Sequence, residues 1–511
     1  MVYWSCHPCW TRFSVFFSAN SSWISCIQQQ KLQTKASHWP WPPHGPAVYC
    51  YVIAGAVPPW FFITVHALLD FHYLTQAPVF SDQLLDRLTE VLQVFHDNKD
   101  AVIQASGQKE SSNWEIPKLE LLQSVVSNIW HSGPVRQWSA DATEHAHVQE
   151  IKNPACMGNN QNYYDQIACH LDHSNKCFHF DLATYLETWG TKSVILESDD
   201  DFNQGSEDHD DIDDIPSHSQ HLKPSCWVVN YFSVADSLAH GCILNALRPH
   251  HTFATSTTAF HFTIKPSLHL SVNEAAARFK IPDLHFAITD FLQHIQNDSD
   301  HPVTGVRAED PHCPLVSNRV QIWYRLHVQQ FLYHGGRRVD DMQTLRALPP
   351  SNNHPHGLYD AVIMSSKSKS DWPQRGIEGL ISHAIRMNHC SSNTLIIDHM
   401  VVQLQLIFRL LNMDHLVSYV QRFDIVCWQA DVGGVHPGTG MHLLCRATKV
   451  NGTWISSVIP VSHIWSPAHL IPNFGKEAHH HLSQDNSYKL MSKFWLNKYW
   501  SKEFYYTMCP L

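Results

Sequence analysis

The chain has 511 residues, 44% of them apolar and 16% charged. That length suits about three domains with real cores, and the composition excludes collagen-like, coiled-coil and wholly disordered chains. The net charge of −11 is concentrated in Glu197 to Asp214, which holds ten acids and no base. The remainder is close to neutral and lacks the global basic field that announces nucleic acid.

The first 46 residues carry Trp4, Trp10, Trp23, Trp39 and Trp41 among Ser, Gln and Pro with no period of two or 3.6, and are expected to be irregular. They contain the chain's one Cys-x-x-Cys, Cys6 to Cys9, without a second pair at zinc-ligand spacing. The 14 cysteines are otherwise scattered singly, the pattern of reduced intracellular thiols. No basic head followed by an apolar run marks a signal peptide. Ala47 to Leu69 is uncharged and reaches membrane-spanning length, but Pro58-Pro59 in its middle removes two backbone donors that lipid cannot replace. A buried helix, a turn and a second helix is the better expectation, and no membrane is expected as a partner.

A helical region follows, over 47–190. Ser81 can cap a helix with Leu84, Leu88, Val91, Leu92 and Phe95 on one face. Leu119, Leu122, Val126 and Ile129 predict another after Pro117, and a third runs from Tyr163 to Leu186. Over 191–225 the acidic tract, ending at Pro216, is expected to be a disordered linker, because like charges repel and little apolar area can be buried. An α+β region is expected over 226–412. Ser271-Val272-Asn273-Glu274 is a capping box, and Leu284, Ile288, Phe291 and Ile295 form the stripe of a helix after Pro282. Alternation then takes over at Val320, Ile322, Tyr324, Leu326 and Val328, and at Val402, Leu404, Leu406, Phe408 and Leu410.

A β-rich module is expected over 413–511. Val417 to Val426 is one strand, and Asn451-Gly452 predicts a two-residue hairpin turn placing Leu443 and Leu444 beside Trp454 and Ile455. Val417, Tyr419, Val458 and Ile459 should supply the interior. The fold class is therefore α+β: a helical N-terminal half, an acidic linker, and a mixed then β-rich C-terminal half with a small antiparallel barrel or sheet.

The 39 histidines invite a metal hypothesis. The densest group is Cys169, His170, His173, Cys177 and His179 on one predicted helix. His170, His173 and Cys177 share a face at i, i+3 and i+4 spacing and are the metal candidates, although clusters are expected by chance when histidine is this frequent. His479-His480-His481 reads as a surface loop. Asp141, Glu144, His145 and His147 could bind a divalent cation as one string. No phosphate-binding glycine loop, Gly-x-Ser-x-Gly elbow or His-Glu-x-x-His is present.

Several longer strings carry a resemblance. Ala54-Gly55-Ala56-Val57-Pro58-Pro59, Ala67-Leu68-Leu69-Asp70-Phe71-His72-Tyr73-Leu74, Ile116-Pro117-Lys118-Leu119-Glu120-Leu121-Leu122-Gln123 and Trp138-Ser139-Ala140-Asp141-Ala142-Thr143-Glu144-His145 resemble fungal Plavaka-type transposases. Ser256-Thr257-Thr258-Ala259-Phe260-His261, Ile281-Pro282-Asp283-Leu284, Tyr419-Val420-Gln421-Arg422-Phe423-Asp424, Val458-Ile459-Pro460-Val461 and Leu496-Asn497-Lys498-Tyr499 resemble the uncharacterised domain that follows such transposases. The resemblance covers about Ala47 to Tyr505. It implies an RNase H-like core in which two Asp and one Glu hold two divalent metals that activate water or a DNA 3′-hydroxyl. Glu144 matches the late Glu, but the strands of the two Asp lie upstream of the matched part. The chain is thus expected to be catalytically incomplete, with no cofactor; Mg²⁺ would be needed only by a complete core.

Where the family pattern has Arg, this chain has His66, His72, His173, His285 and Cys169, and Arg totals only 16. Arg codons containing a methylatable CG decay into His, Gln, Cys or Trp codons, so mutational decay of a silenced element explains the histidine surplus. The reading favoured by the sequence is a transposon-derived interaction module that binds a transposase, another protein or DNA, in the nucleus if functional. Two alternatives stand beside it: a translated remnant without selected activity, and an active metal-dependent nuclease.

Overall fold

The computed structural model describes residues 57–104, 114, 117–140, 143, 146–159, 161–189, 230–240, 250–263, 265–296, 318–334, 338–352, 354–365, 399–411, 413, 416–426, 435–436, 440–475, 482 and 486–508. The segment 1–46, the helix expected before Pro58, the string Asp141, Glu144 and His145, the acidic tract and the triple histidine at 479–481 lie outside the described residues.

Helix α1, Pro59–Thr75, starts at a proline, whose fixed φ suits a first turn. It is apolar nearly all round and correspondingly buried, from Phe61 to Leu74. Helix α2, Asp82–Asn98, is capped as its sequence predicts: the Leu84 amide donates to the Ser81 hydroxyl at 3.2 Å. Leu84, Leu88, Leu92 and Phe95 bury its stripe against α1. A short α3, Asp100–Gln104, follows.

The single helix expected after Pro117 is two, α4 Pro117–Leu122 and α5 Val125–Ser132. The amides of Gln123 and Ser124 bond three residues back, and the Ser124 hydroxyl donates to the Leu121 carbonyl at 2.9 Å. That side-chain bond competes with the helical ladder and turns the chain. Helices α6 Val135–Trp138, α7 Asn153–Met157 and α8 Tyr163–Trp189 complete the helical half, and α8 covers the stretch its sequence predicts.

In the second half, α9 Tyr231–Ala239 is capped by the Asn230 side chain. Helix α10, Val272–Phe279, carries the full Ser271–Glu274 capping box. In α11, Leu284–Gln296, Leu284, Ile288 and Phe291 are buried, whereas Ile295 in the last turn is exposed.

Among the described residues every strand pair is antiparallel. Strands β1 His250–Ala254, β2 Thr258–Thr263, β3 Leu268–Ser271, β4 Arg319–Trp323, β5 Arg325–Gln330, β6 Gln343–Leu348, β7 Leu358–Tyr359 and β8 Ala361–Ser365 precede two long central strands, β9 His399–Leu410 and β10 Leu416–Ile425. After them come β11 Val435–His436, β12 Met441–Arg446, β13 Ser456–Pro460, β14 Ile464–Ala468, β15 Leu470–Pro472 and β16 Lys493–Leu496, with short helices α12 Ser487–Leu490 and α13 Lys502–Met508 beside the last.

The smaller sheet has the order β1-β2-β5-β6-β7. In the larger, the path is β14-β8-β9-β10-β12-β16-β15, with β4 also on β9 and β13 also on β10. The second half is thus β-rich and mixed α+β, and among the described residues no barrel closes. The end strands β14 and β15 do not pair; they are consecutive chain segments joined at His469. The larger sheet also crosses position 412/413, because β9 pairs β10 from Val402–Arg422 to Arg409–Leu416. The α+β and β-rich regions therefore share one sheet.

Two strand expectations need correction. The alternating run Val320 to Val328 is not one strand: β4 joins the larger sheet through β9, and β5 joins the smaller one between β2 and β6. The break is Tyr324, whose amide donates to the Ser267 hydroxyl and whose carbonyl accepts from the Ala347 amide, so neither group serves one continuous ladder. The C-terminal hairpin also differs. Leu443 and Leu444 pair with Trp495 and Phe494 of β16, while Trp454 pairs with Thr448 and the Ile455 amide reaches Ala447. The Gly452 amide donates to the Lys449 carbonyl at 2.9 Å, and only Gly452 of the Asn-Gly pair has positive φ, +80°. This is a longer turn with a glycine bulge, not a two-residue turn needing positive φ at both residues.

The expected interior residues Val417, Tyr419, Val458 and Ile459 are all buried, but Ile459 faces a different core from the other three. Gly452 is in open space, so Gly452→Val meets only the backbone penalty of a β-branched residue at positive φ. It is expected to lose about 1 kcal/mol or more of unfolding free energy in a urea titration; an unchanged midpoint would show that the turn adapts freely.

Candidate functional site

Of the residues in α1, Asp70 is the one with a charge at neutral pH apart from titratable histidines. Burying a carboxylate requires partners, and the C-terminal segment brings them. One Asp70 oxygen accepts from the Tyr499 hydroxyl at 2.7 Å, the Tyr505 hydroxyl at 3.0 Å and Lys498 Nζ at 3.0 Å. The other accepts from Lys498 Nζ at 3.4 Å and lies 3.3 Å from His66 Nδ1, one helical turn back. The Tyr73 hydroxyl donates to the Tyr499 carbonyl at 2.9 Å, and the Tyr506 hydroxyl to the Tyr73 carbonyl at 3.1 Å.

Burial alone would push the Asp70 carboxyl up; His66, Lys498 and the Tyr499 hydroxyl together hold it down at about 2. Burial pushes His66 down to about 4 against the upward pull of Asp70, with Lys498 and Arg87 adding to the fall. His66 Nε2 is buried without a hydrogen-bond partner, and a Cβ on Gly440 would come within 2.5 Å of the same ring. The arrangement is an ionised carboxylate whose acceptor capacity is taken up by its own chain. It can hold two distant segments together.

A second, half-buried carboxylate also accepts hydroxyls from distant segments. Asp283 at the start of α11 accepts from the Tyr419 hydroxyl of β10 and, at 3.0 Å, from the Ser456 hydroxyl of β13. The Thr258 hydroxyl donates to the Trp465 carbonyl at 2.8 Å, tying the smaller sheet to β14. The string around Asp70 thus meets that around Lys498, and the string around Asp283 meets that around Tyr419, through internal polar ties. The signal for Asp70 was present in sequence as a lone acid in an apolar helix, but its partners are more than 420 positions away.

The predicted metal candidates are not assembled in this way. On α8, His170 is half-buried and His173 and Cys177 are exposed, while Asp172 is paired with Lys176 at 2.6 Å. Among the described residues no three His, Cys, Asp or Glu side chains are placed to hold one metal ion. Glu144 lies outside the described residues. Of the positions where Arg was expected, His66, His72 and His285 are half-buried, His66 against the Asp70 cluster, and His173 and Cys169 are exposed on α8. Helix α8 instead exposes large apolar side chains: Tyr164 is 83% accessible, Phe180 71% and Phe178 41%. Ile167 is its buried apolar residue near the N-terminal end. Among the described residues no helix is long and apolar enough to cross a membrane.

No curated protein and no solved structure matches the chain. Residues 232–444 match a family described as a domain of unknown function, DUF6830, a span that runs from α9 into β12 and takes in the smaller sheet, α10, α11 and the β9–β10 centre of the larger one.

Proposed function

We propose that the chain is a transposon-derived interaction module that does not itself cleave DNA, and that protein is its principal partner. The observation that carries this reading is how the chain distributes its chemistry. Two acids at the heart of the packing, buried Asp70 and half-buried Asp283, are committed to internal hydroxyls and, for Asp70, to a lysine. Large aromatic residues are presented outward on α8. Exposed aromatic side chains anchor protein interfaces, whereas phosphate binding draws its affinity from Lys and Arg, and outside the acidic tract the chain carries no net positive charge. The resemblance to Plavaka-type transposases makes a transposase chain the natural partner, with DNA as the other outcome of the test.

The full-length chain incubated with supercoiled plasmid and Mg²⁺ or Mn²⁺ is expected to leave the plasmid intact. Metal-dependent nicking abolished by Glu144→Gln would overturn the reading in favour of a nuclease. Tight binding to duplex DNA that weakens steeply with salt would keep the module but change its partner.

A further inference from the structure

The C-terminal segment 493–508, comprising β16, the turn through Asn497 to Ser501 and α13, is surrounded by four histidines from four separate places in the chain. His66 of α1 meets the Tyr499 ring edge-on at 5.9 Å. His334, after β5, meets Tyr506 edge-on at 4.9 Å. His436 of β11 meets Trp495 edge-on at 5.5 Å. His469, at the joint between β14 and β15, stacks on Trp500 at 4.8 Å with 16° between planes. Its Nδ1 is also 3.0 Å from the Asn497 side-chain nitrogen, and its carbonyl accepts the Asn497 amide at 3.0 Å.

We propose that segment 493–508 is an acid-released latch: protonating the histidines packed around it frees it from α1 and the larger sheet and uncovers the apolar surface beneath. That surface includes Met441, Leu443 and Ile471 of the core shared with α1. Packing against the segment strips water from the rings, and desolvation disfavours the imidazolium; at His66 it outweighs the upward pull of Asp70. Burial lowers all four histidines, His66 and His469 each to about 4.

The charged neighbours do not reverse this. His66 faces Asp70 of its own helix, but also Lys498 and Tyr499 of the segment and Arg87 of α2. His334 faces Lys502 and Tyr506. Beside it Glu503 accepts the Tyr333 amide and is raised by burial, so it is protonated more readily closed than open and offsets part of the histidine effect on acidification. His436 faces Trp495, and His469 faces Asn497 and Trp500. A group whose protonation is disfavoured in the closed state binds more protons once released, so closure weakens as pH falls from 6.5 towards 4. By linkage, His66 and His469 would each shift the closed-to-open ratio about 20-fold between about pH 7 and pH 5.

The test is amide hydrogen exchange on the full-length chain at about pH 7 and pH 5, corrected for intrinsic exchange. Protection of 493–508 is expected to fall more than tenfold at the lower pH while β9 and β10 keep theirs. The double variant H66Q/H469Q should lose most of that dependence, and each single variant part of it. Unchanged protection of 493–508 in the wild-type chain would overturn the latch, as would an equal loss in β9 and β10, which signals global unfolding. A variant that folds yet keeps the full pH dependence would overturn the role of the histidines. Should the double variant not fold, H469Q alone and the wild-type comparison decide the matter.

Discussion

Replacing Asp70 by Leu is expected to destabilise the full-length chain by about 3–5 kcal/mol, because it strands a buried ammonium group and leaves two buried hydroxyls without their acceptor. Lys498 is 5% accessible and Tyr505 1%, so neither can turn to water without unpacking the segment. Lys498→Met should also be costly, by leaving the carboxylate without its nearest strong cation. The double variant Asp70→Leu/Lys498→Met should cost less than the sum of the two, since each single change creates the unpaired charge that the double one removes. Urea titrations of the four proteins measure all three differences. An Asp70→Leu loss below about 1 kcal/mol would match an exposed ion pair and contradict the buried geometry. The Asp70 carboxyl falls from 3.8 to about 2 in the folded chain, so its contribution is complete above 3.8 and lost as pH drops towards 2. That window lies below the one in which the histidines around segment 493–508 take up protons.

Ile407→Ala is expected to cost about 2–5 kcal/mol, as much as a change on the apolar stripe that the alternating pattern of β9 marks out. The alternating residues Val402 to Leu410 suggest a strand with one buried face, which would leave Ile407 outside. Instead Ile407 and Phe408 are both buried, at 2% and 0% accessible, in two different cores. Ile407 packs with Val420, Ile459 and Trp323, whereas Phe408 packs with Leu284, Phe291 and Val458. Phe408→Ala should cost about 3–5 kcal/mol. Even the polar positions between them are enclosed: Gln403 donates to the Tyr359 carbonyl at 3.2 Å, and Gln405 to Gln403 at 3.0 Å. Chemical denaturation of both single variants checks the pair. An Ile407→Ala effect within about 0.5 kcal/mol of zero, as at surface sites, would mean that β9 has one wet face after all.

The helical half was largely legible because its signals close over a few residues. The Ser81 cap reaches Leu84, the Ser271–Glu274 box spans a single turn, and Pro59 sets its own φ. The stripe of α2 was readable because a period of 3.6 records which side will be buried. The metal candidates on α8 were correctly placed on one helix, yet spacing along a helix cannot show whether a second element will supply further ligands.

The amino-acid sequence by itself determined the division into helical and β-rich halves, most helix starts, and the presence of a turn at Gly452, since each depends on propensities and bonds made within about four residues. Tertiary structure decided what each strand pairs with and which polar residues become internal ties. Tyr324 splits one alternating run between two sheets, and Leu443 pairs with Trp495 instead of Trp454. Asp70 finds Lys498 across 428 positions. Strand partners are exchangeable as far as local pattern goes, and a buried carboxylate is stable only where distant donors converge on it. Both outcomes are therefore selected by the packing of the whole chain.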